Sequence, residues 1–303
     1  MMDRRSLILT SFLLFFLFLS LVCLIIYDEL NYQKLNPETS TITTTTSTEV
    51  VKLAPNDYDG LLKDIVVDAV KYESDSELII LINQQYVKDI ITSLKQIDLK
   101  ILKAFWYSES KIVLTNYPLT DLPALEFLKG LKSCNDPVAS CRKYEEIKGL
   151  QFGNAAYLWI NDCVSDGYFF DQIRADNYCN MKQKINGELV TLFHEAGHLV
   201  DQTKALRAQF LTDPSLLGLS YADEYDAIHQ EEYPLFLKKL GNGKYFSTPL
   251  EYFAEVFAIY HGHRLDVNNP LQELMNKTPK TYNYLREIIN NYNPVPIKLD
   301  YES

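Results

Sequence analysis

Positive charge is in short supply in this chain: 29 Lys and Arg stand against 40 Asp and Glu, a formal net charge of −11 at pH 7. Nucleic-acid binding needs clustered cations that displace counterions, so a nucleic-acid partner is not expected. The acidic balance would steer basic peptides toward the surface, although ordinary solubility explains it as well. Cysteine is scarce, five in 303 residues, and no CxxC pair occurs, which argues against a cysteine-built zinc site. Residues 36–48, Asn-Pro-Glu-Thr-Ser-Thr-Ile-Thr-Thr-Thr-Thr-Ser-Thr, offer almost nothing to bury and read as a Thr-rich stalk. No internal repeat is visible.

Charge of either sign is missing from residues 6–27, a run long enough at helical rise to cross a bilayer. Arg4 and Arg5 precede it and Asp28 and Glu29 follow, so the positive-inside bias places the N-terminus in the cytoplasm. The run also lacks the small residues of a cleavage site, closing on Val22-Cys23-Leu24-Ile25-Ile26-Tyr27. The expected layout is a cytoplasmic N-terminus (1–5), a transmembrane signal anchor (6–27), a stalk (28–56) and an extracytoplasmic domain (57–303). The protein is then a single-pass membrane protein, or a secreted one if the segment is cleaved.

What is present is a composition fit for a packed core, 47% hydrophobic with 21 Tyr and 15 Phe. Leu61, Leu62, Ile65, Val66, Ala69 and Val70 recur with helical spacing, as do Val87, Ile90, Ile91 and Leu94. Residues 78–82, 99–107, 111–114 and 155–160 read as strands, and helices dominate from Asn186 onward. Cys134, Cys141, Cys163 and Cys179 allow two disulfides in an oxidising compartment. Proximity favours Cys134 with Cys141 and Cys163 with Cys179, and buried thiols are the alternative.

Residues 192–201 read Leu-Phe-His-Glu-Ala-Gly-His-Leu-Val-Asp, an H-E-x-x-H pattern inside an apolar helical periodicity. Residues four apart share a helix face, so His194 and His198 are expected to present two imidazole nitrogens to one Zn²⁺ per chain. Glu195 lies beside them as general base for a zinc-activated water. An unpaired polar group on an interior helix face costs about 1–3 kcal/mol, and zinc would relieve it. A catalytic zinc takes a third protein ligand and leaves one position open. The metzincin order requires Gly and His after the second His, where Asp201 and Lys204 stand instead, and is excluded.

Residues 247–257, Ser-Thr-Pro-Leu-Glu-Tyr-Phe-Ala-Glu-Val-Phe, open a second helix with Thr248 as N-cap and Pro249 in the first position. Glu251 and Glu255 fall on one face of it. Glu251 is read as the third ligand and Glu255 as the acceptor of an imidazole N–H that fixes its tautomer. Spacing leaves open the reverse assignment, and a capping-box role for Glu251 at Thr248.

These residues resemble the protease domain of the anthrax toxin lethal factor and its relatives, among them the secreted Pro-Pro endopeptidases. The likeness rests on residues 194–201, on Glu251-Tyr252-Phe253-Ala254-Glu255-Val256-Phe257 with His261 after it, and on Pro279-Lys280-Thr281-Tyr282, within residues 145–303. It implies an α+β, zincin-like fold of the gluzincin type, with His194, His198 and Glu251 on zinc and Glu195 as base. The family also places a catalytic tyrosine upstream of the third ligand, one position before Tyr245, where this chain has Lys244. A shortened loop would bring Tyr245 to the oxyanion position; an aromatic packed beside Phe246 is the alternative. Toxin-delivery domains are not expected, so the resemblance does not imply delivery into another cell.

The expected activity is that of a zinc metalloendopeptidase acting on a peptide or protein substrate. The rivals are an inactive zinc-binding peptide-recognition module and a surface adhesion protein. Glu195, which binds no metal, has little purpose in a purely structural site.

Overall fold

Asp57 accepts a hydrogen bond from the Gly60 N–H at 2.7 Å and so starts α1 (Tyr58–Ile65), which buries Leu61, Leu62 and Ile65 and runs into β1 (Val66–Asp68). The computed structural model describes residues 53–133, 142–160, 182–240, 243–264 and 267–295, all within one unit, Val51–Ser303. Two segments expected as strands are helical. Residues 78–82 open α2 (Glu77–Ser93), where Ile82, Tyr86, Val87 and Ile90 are buried with helical spacing while Leu78 and Leu81 face solvent. Leu99–Tyr107 is α3, started by Asp98, whose side chain accepts from the Lys100 N–H at 2.8 Å. Short apolar runs do not by themselves separate a strand from a buried helix, and here the cap and the inward face at Ile101, Leu102 and Phe105 decide.

The expected strands at 111–114 and 155–160 do form. They are β2 (Lys111–Thr115) and β6 (Ala155–Trp159); between them come a two-stranded ribbon, β3 (Lys132–Ser133) with β4 (Arg142–Lys143), and β5 (Gly149–Phe152). The main sheet has the order β1-β2-β6-β5, with β1, β2 and β6 parallel and β5 antiparallel at one edge. The β5–β6 hairpin turns through Gly153 at φ 57°, a conformation that favours glycine. Both sheet faces are covered. Ile112, Leu114, Ala156 and Leu158 join the main core, while Val113 and Tyr157 pack on Leu119, Leu122, Leu125 and Leu128.

Helices fill the second half: α4 (Lys182–Gln202), α5 (Lys204–Phe210), α6 (Asp223–Glu232), α7 (Pro249–Tyr260), α8 (Pro270–Lys277) and α9 (Pro279–Asn291). The expected mixed α+β class is what the chain adopts. α4 packs on α7 and over β5 and β6, which puts the two motif helices against each other beside the sheet edge. The Pro279-Lys280-Thr281 motif proves to be scaffolding. Buried Glu232 accepts from the N–H groups of Lys280 and Thr281 at 2.9 and 2.8 Å, capping α9, and the Thr281 hydroxyl shares a 3.0 Å hydrogen bond with Tyr252 of α7.

The membrane localisation expected from the sequence is corrected. Among the described residues no helix is long and apolar enough to cross a membrane. The longest of them, α4, carries Glu188, His194, Glu195, His198 and Asp201 into the interior, charges and dipoles that lipid would not satisfy. Residues 6–27, on which the anchor rested, lie outside the described residues, as do the stalk through residue 52 and all four cysteines proposed for disulfides.

Candidate metal centre

The two motif helices can meet because Gly197 has no side chain. A Cβ there would stand 2.7 Å from the Ala254 Cα and 2.8 Å from its carbonyl oxygen. Ala254 lies between Glu251 and Glu255, so the contact that glycine permits sets the distance between the histidines of α4 and the carboxylates of α7. Thr248 caps α7 as expected, its hydroxyl accepting from the Glu251 N–H at 3.3 Å. The Glu251 carboxylate points away from that cap. Its Oε2 lies 3.2 Å from His194 Nε2 and 3.5 Å from His198 Nε2.

Ligand atoms of His194, His198 and Glu251 all fall within 4.8 Å of one another. Two donors about 2.05 Å from a tetrahedral zinc stand about 3.3 Å apart, so the observed separations fit that ion. The donor chemistry fits as well, two imidazoles and one carboxylate being a familiar catalytic set. Glu255 sits behind the site. Its Oε2 is 3.1 Å from His194 Nδ1, which leaves Nε2 as the nitrogen facing Glu251, and its other oxygen contacts Arg264.

Electrostatics bind the group together. Burial alone would push the His194 pKa down, but hydrogen bonds to Glu251 and Glu255 outweigh it and raise the pKa to about 10. For Glu251 burial pushes upward, and the two histidines more than reverse it, holding the carboxyl well below its ordinary range. A proton on His194 therefore balances the carboxylates, and a divalent cation would compete with it. Glu195 behaves differently: burial raises its pKa against the pull of His198 and His194, which keeps it a usable base.

The family model for anthrax toxin lethal factor, N- and C-terminal domain, matches residues 63–288. The chain belongs to the anthrax toxin lethal factor family. The match starts upstream of the stretch that carried the resemblance in the sequence, taking in α2, α3 and the sheet. Among solved structures, the Pro-Pro endopeptidase PPEP-2 from Paenibacillus alvei is similar at 21% identity and a TM-score of 0.47, covering 75% of this chain and 99% of that one. That likeness is too distant to carry an argument. No curated protein matches the chain.

In this lethal factor relative the centre opens into a cleft of about 970 Å³ lined by His194, Glu195, His198, Glu251 and Tyr245. Tyr245 lies on the 3-10 turn Gly243–Ser247, its ring 6.2 Å from that of His194 and 5.2 Å from that of Phe246. It lines the cleft and packs on Phe246.

Sequence reasoning missed two residues. Gly149, at the start of β5, lies so close to α4 that a Cβ would meet Glu195 Oε1 at 2.5 Å; nothing local in the chain signals this. Arg264 grips Glu255 nine residues on, and its lone position after the Glu-x-x-x-Glu helix gave no periodic cue. His261, part of the family resemblance, is not in the metal cluster; its Nδ1 donates to the Phe257 carbonyl, 2.9 Å away.

Proposed function

We propose that the chain is a zinc-dependent endopeptidase of zincin-like architecture, with residues 57–303 as its catalytic domain and 28–56 as a linker. One Zn²⁺ is held by His194, His198 and Glu251. The observation that carries this reading is the mutual spacing of those three donors, drawn from helices that approach closely at Gly197 and Ala254. Zinc bound there would polarise a substrate carbonyl and acidify a water.

The protein groups supply the rest. Glu195, buried and raised in pKa, takes the proton from the attacking water and returns it to the departing amine. Glu255, anchored by Arg264, holds the His194 ring in place through Nδ1. β5 is an edge strand and its Gly149 borders Glu195, so an extended peptide could pair along it and bring a carbonyl to the site. Tyr245 lines the same cleft, and its phenol would donate to the developing oxyanion.

The test is Glu195→Gln, with metal content and peptide cleavage read on one preparation. Zinc stoichiometry near one per chain with turnover reduced at least about a hundredfold is expected. Near-normal hydrolysis by the zinc-loaded variant would overturn the mechanism. A wild-type protein that binds zinc and peptide yet cleaves nothing would favour the inactive recognition module.

A further inference from the structure

The wall of the cleft has the opposite sign to the molecule. Among the described residues, away from the metal cluster, it is lined by Arg142, Lys148, Lys238 and Lys244, against one carboxylate, Glu146, whereas the whole chain carries −11. Two of the cations come from the segment leading into β5 and two from the turns before α7. All four are exposed. Among the described residues Arg142, Lys238 and Lys244 form no ion pair with a carboxylate of the protein. Lys148 is held on the wall with its Nζ 3.4 Å over the Trp159 ring.

The carboxylates on the cleft floor do not cancel this charge. Glu251 and Glu255 are engaged by His194, His198 and Arg264. The acidic remainder of the surface is screened beyond about 8–10 Å at ordinary ionic strength, so the field inside the cleft is set by its own walls. Resting on the peptidase reading above, we infer that the cleft selects peptides with acidic side chains flanking the bond to be cut. Backbone pairing along β5 places alternate side chains against the walls, and Asp or Glu there meets the cations of Arg142, Lys238 and Lys244, while Lys or Arg meets like charge. The long-range acidity of the protein, taken alone, would favour the opposite substrate.

The experiment uses the full zinc-loaded chain carrying Glu195→Gln, so that binding is read without turnover. Fluorescein-labelled peptides share one central sequence and differ only in flanks of Asp and Glu, Ser, or Lys. Fluorescence anisotropy at about 50 mM salt should give about tenfold tighter binding of the acid-flanked than of the Lys-flanked peptide, the order expected of a few exposed ion pairs. The gap should close at about 500 mM salt. Lys238→Glu with Lys244→Glu should abolish or reverse the preference. No binding of the acid-flanked peptide, equal or tighter binding of the Lys-flanked one, or a preference untouched by the charge reversals would overturn the inference. Failure of the peptidase reading is a separate result, seen as absence of cleavage of every peptide by the zinc-loaded wild type.

Discussion

Two pairs of histidines lie on either side of Phe193, and they have opposite fates. His194 and His198 face the α7 carboxylates, and the pKa of His194 rises to about 10. His261 and His263 pack against the Phe193 ring at 5.2 and 4.1 Å, and burial pushes both down to about 4. The hydrogen-bond partners of the second pair are neutral, the Phe257 carbonyl for His261 and Gln96 for His263. Burial acts in the same direction on His194, His261 and His263; carboxylate partners reverse its outcome at His194. A buried imidazole becomes a candidate metal ligand by what the neighbouring helix brings to it.

The strongest way to break that contrast is to remove the carboxylates. Glu255→Ala should weaken zinc binding about 10- to 100-fold, as loss of a group orienting a ligand does. Glu251→Ala should cost more, leaving substoichiometric metal after dialysis against a chelator and little cleavage. If Glu251→Ala kept zinc and activity while Glu255→Ala lost both, the two roles would be exchanged.

A smaller effect is expected where the helices touch. Gly197→Ala inserts a methyl 2.7 Å from the Ala254 Cα, and backbone cannot yield cheaply. Overpacking of this kind costs about 1–3 kcal/mol. Denaturant unfolding should show it, together with weaker zinc binding as His194 and His198 move off Glu251. Unchanged stability and affinity would mean that the separation of the helices is set elsewhere.

The smallest expected effect concerns the other pair. His261 and His263 have folded pKa values of about 4 against an ordinary 6.5, so the unfolded chain takes up protons first as pH falls. Their contribution to stability is present above pH 6.5 and is lost as pH drops toward 4. His263→Gln keeps a polar partner for Gln96 and should flatten the dependence of Tm on pH in that window. An unaltered slope would show that this imidazole takes up its proton as readily in the folded chain as in the unfolded one.

Much of the site was legible because its chemistry is periodic. A helix places residues i and i+4 on one face, so His194 with His198 and Glu251 with Glu255 could be paired off within their own segments. Thr248 and Pro249 marked where the second helix starts for the same local reason. The strands expected at 78–82 and 99–107 failed because a run of apolar residues carries no sign of its period until caps and exposed positions are counted. The family resemblance linked the two helices, but residue spacing alone did not say which glutamate faces which histidine.

The sequence by itself determined which histidines and glutamates share a face and the helical frames that carry them, since these depend on residue spacing and on the turn of one helix. Only the tertiary structure decided that Glu251 meets Nε2 of His194 and His198 while Glu255 takes Nδ1 of His194. It also brought Gly149 to Glu195 and lined an acidic protein's cleft with cations. The physical reason is distance along the chain. Contacts between segments 40 to 60 residues apart depend on how whole elements pack, here on a glycine that lets two helices touch, and no local pattern encodes that approach.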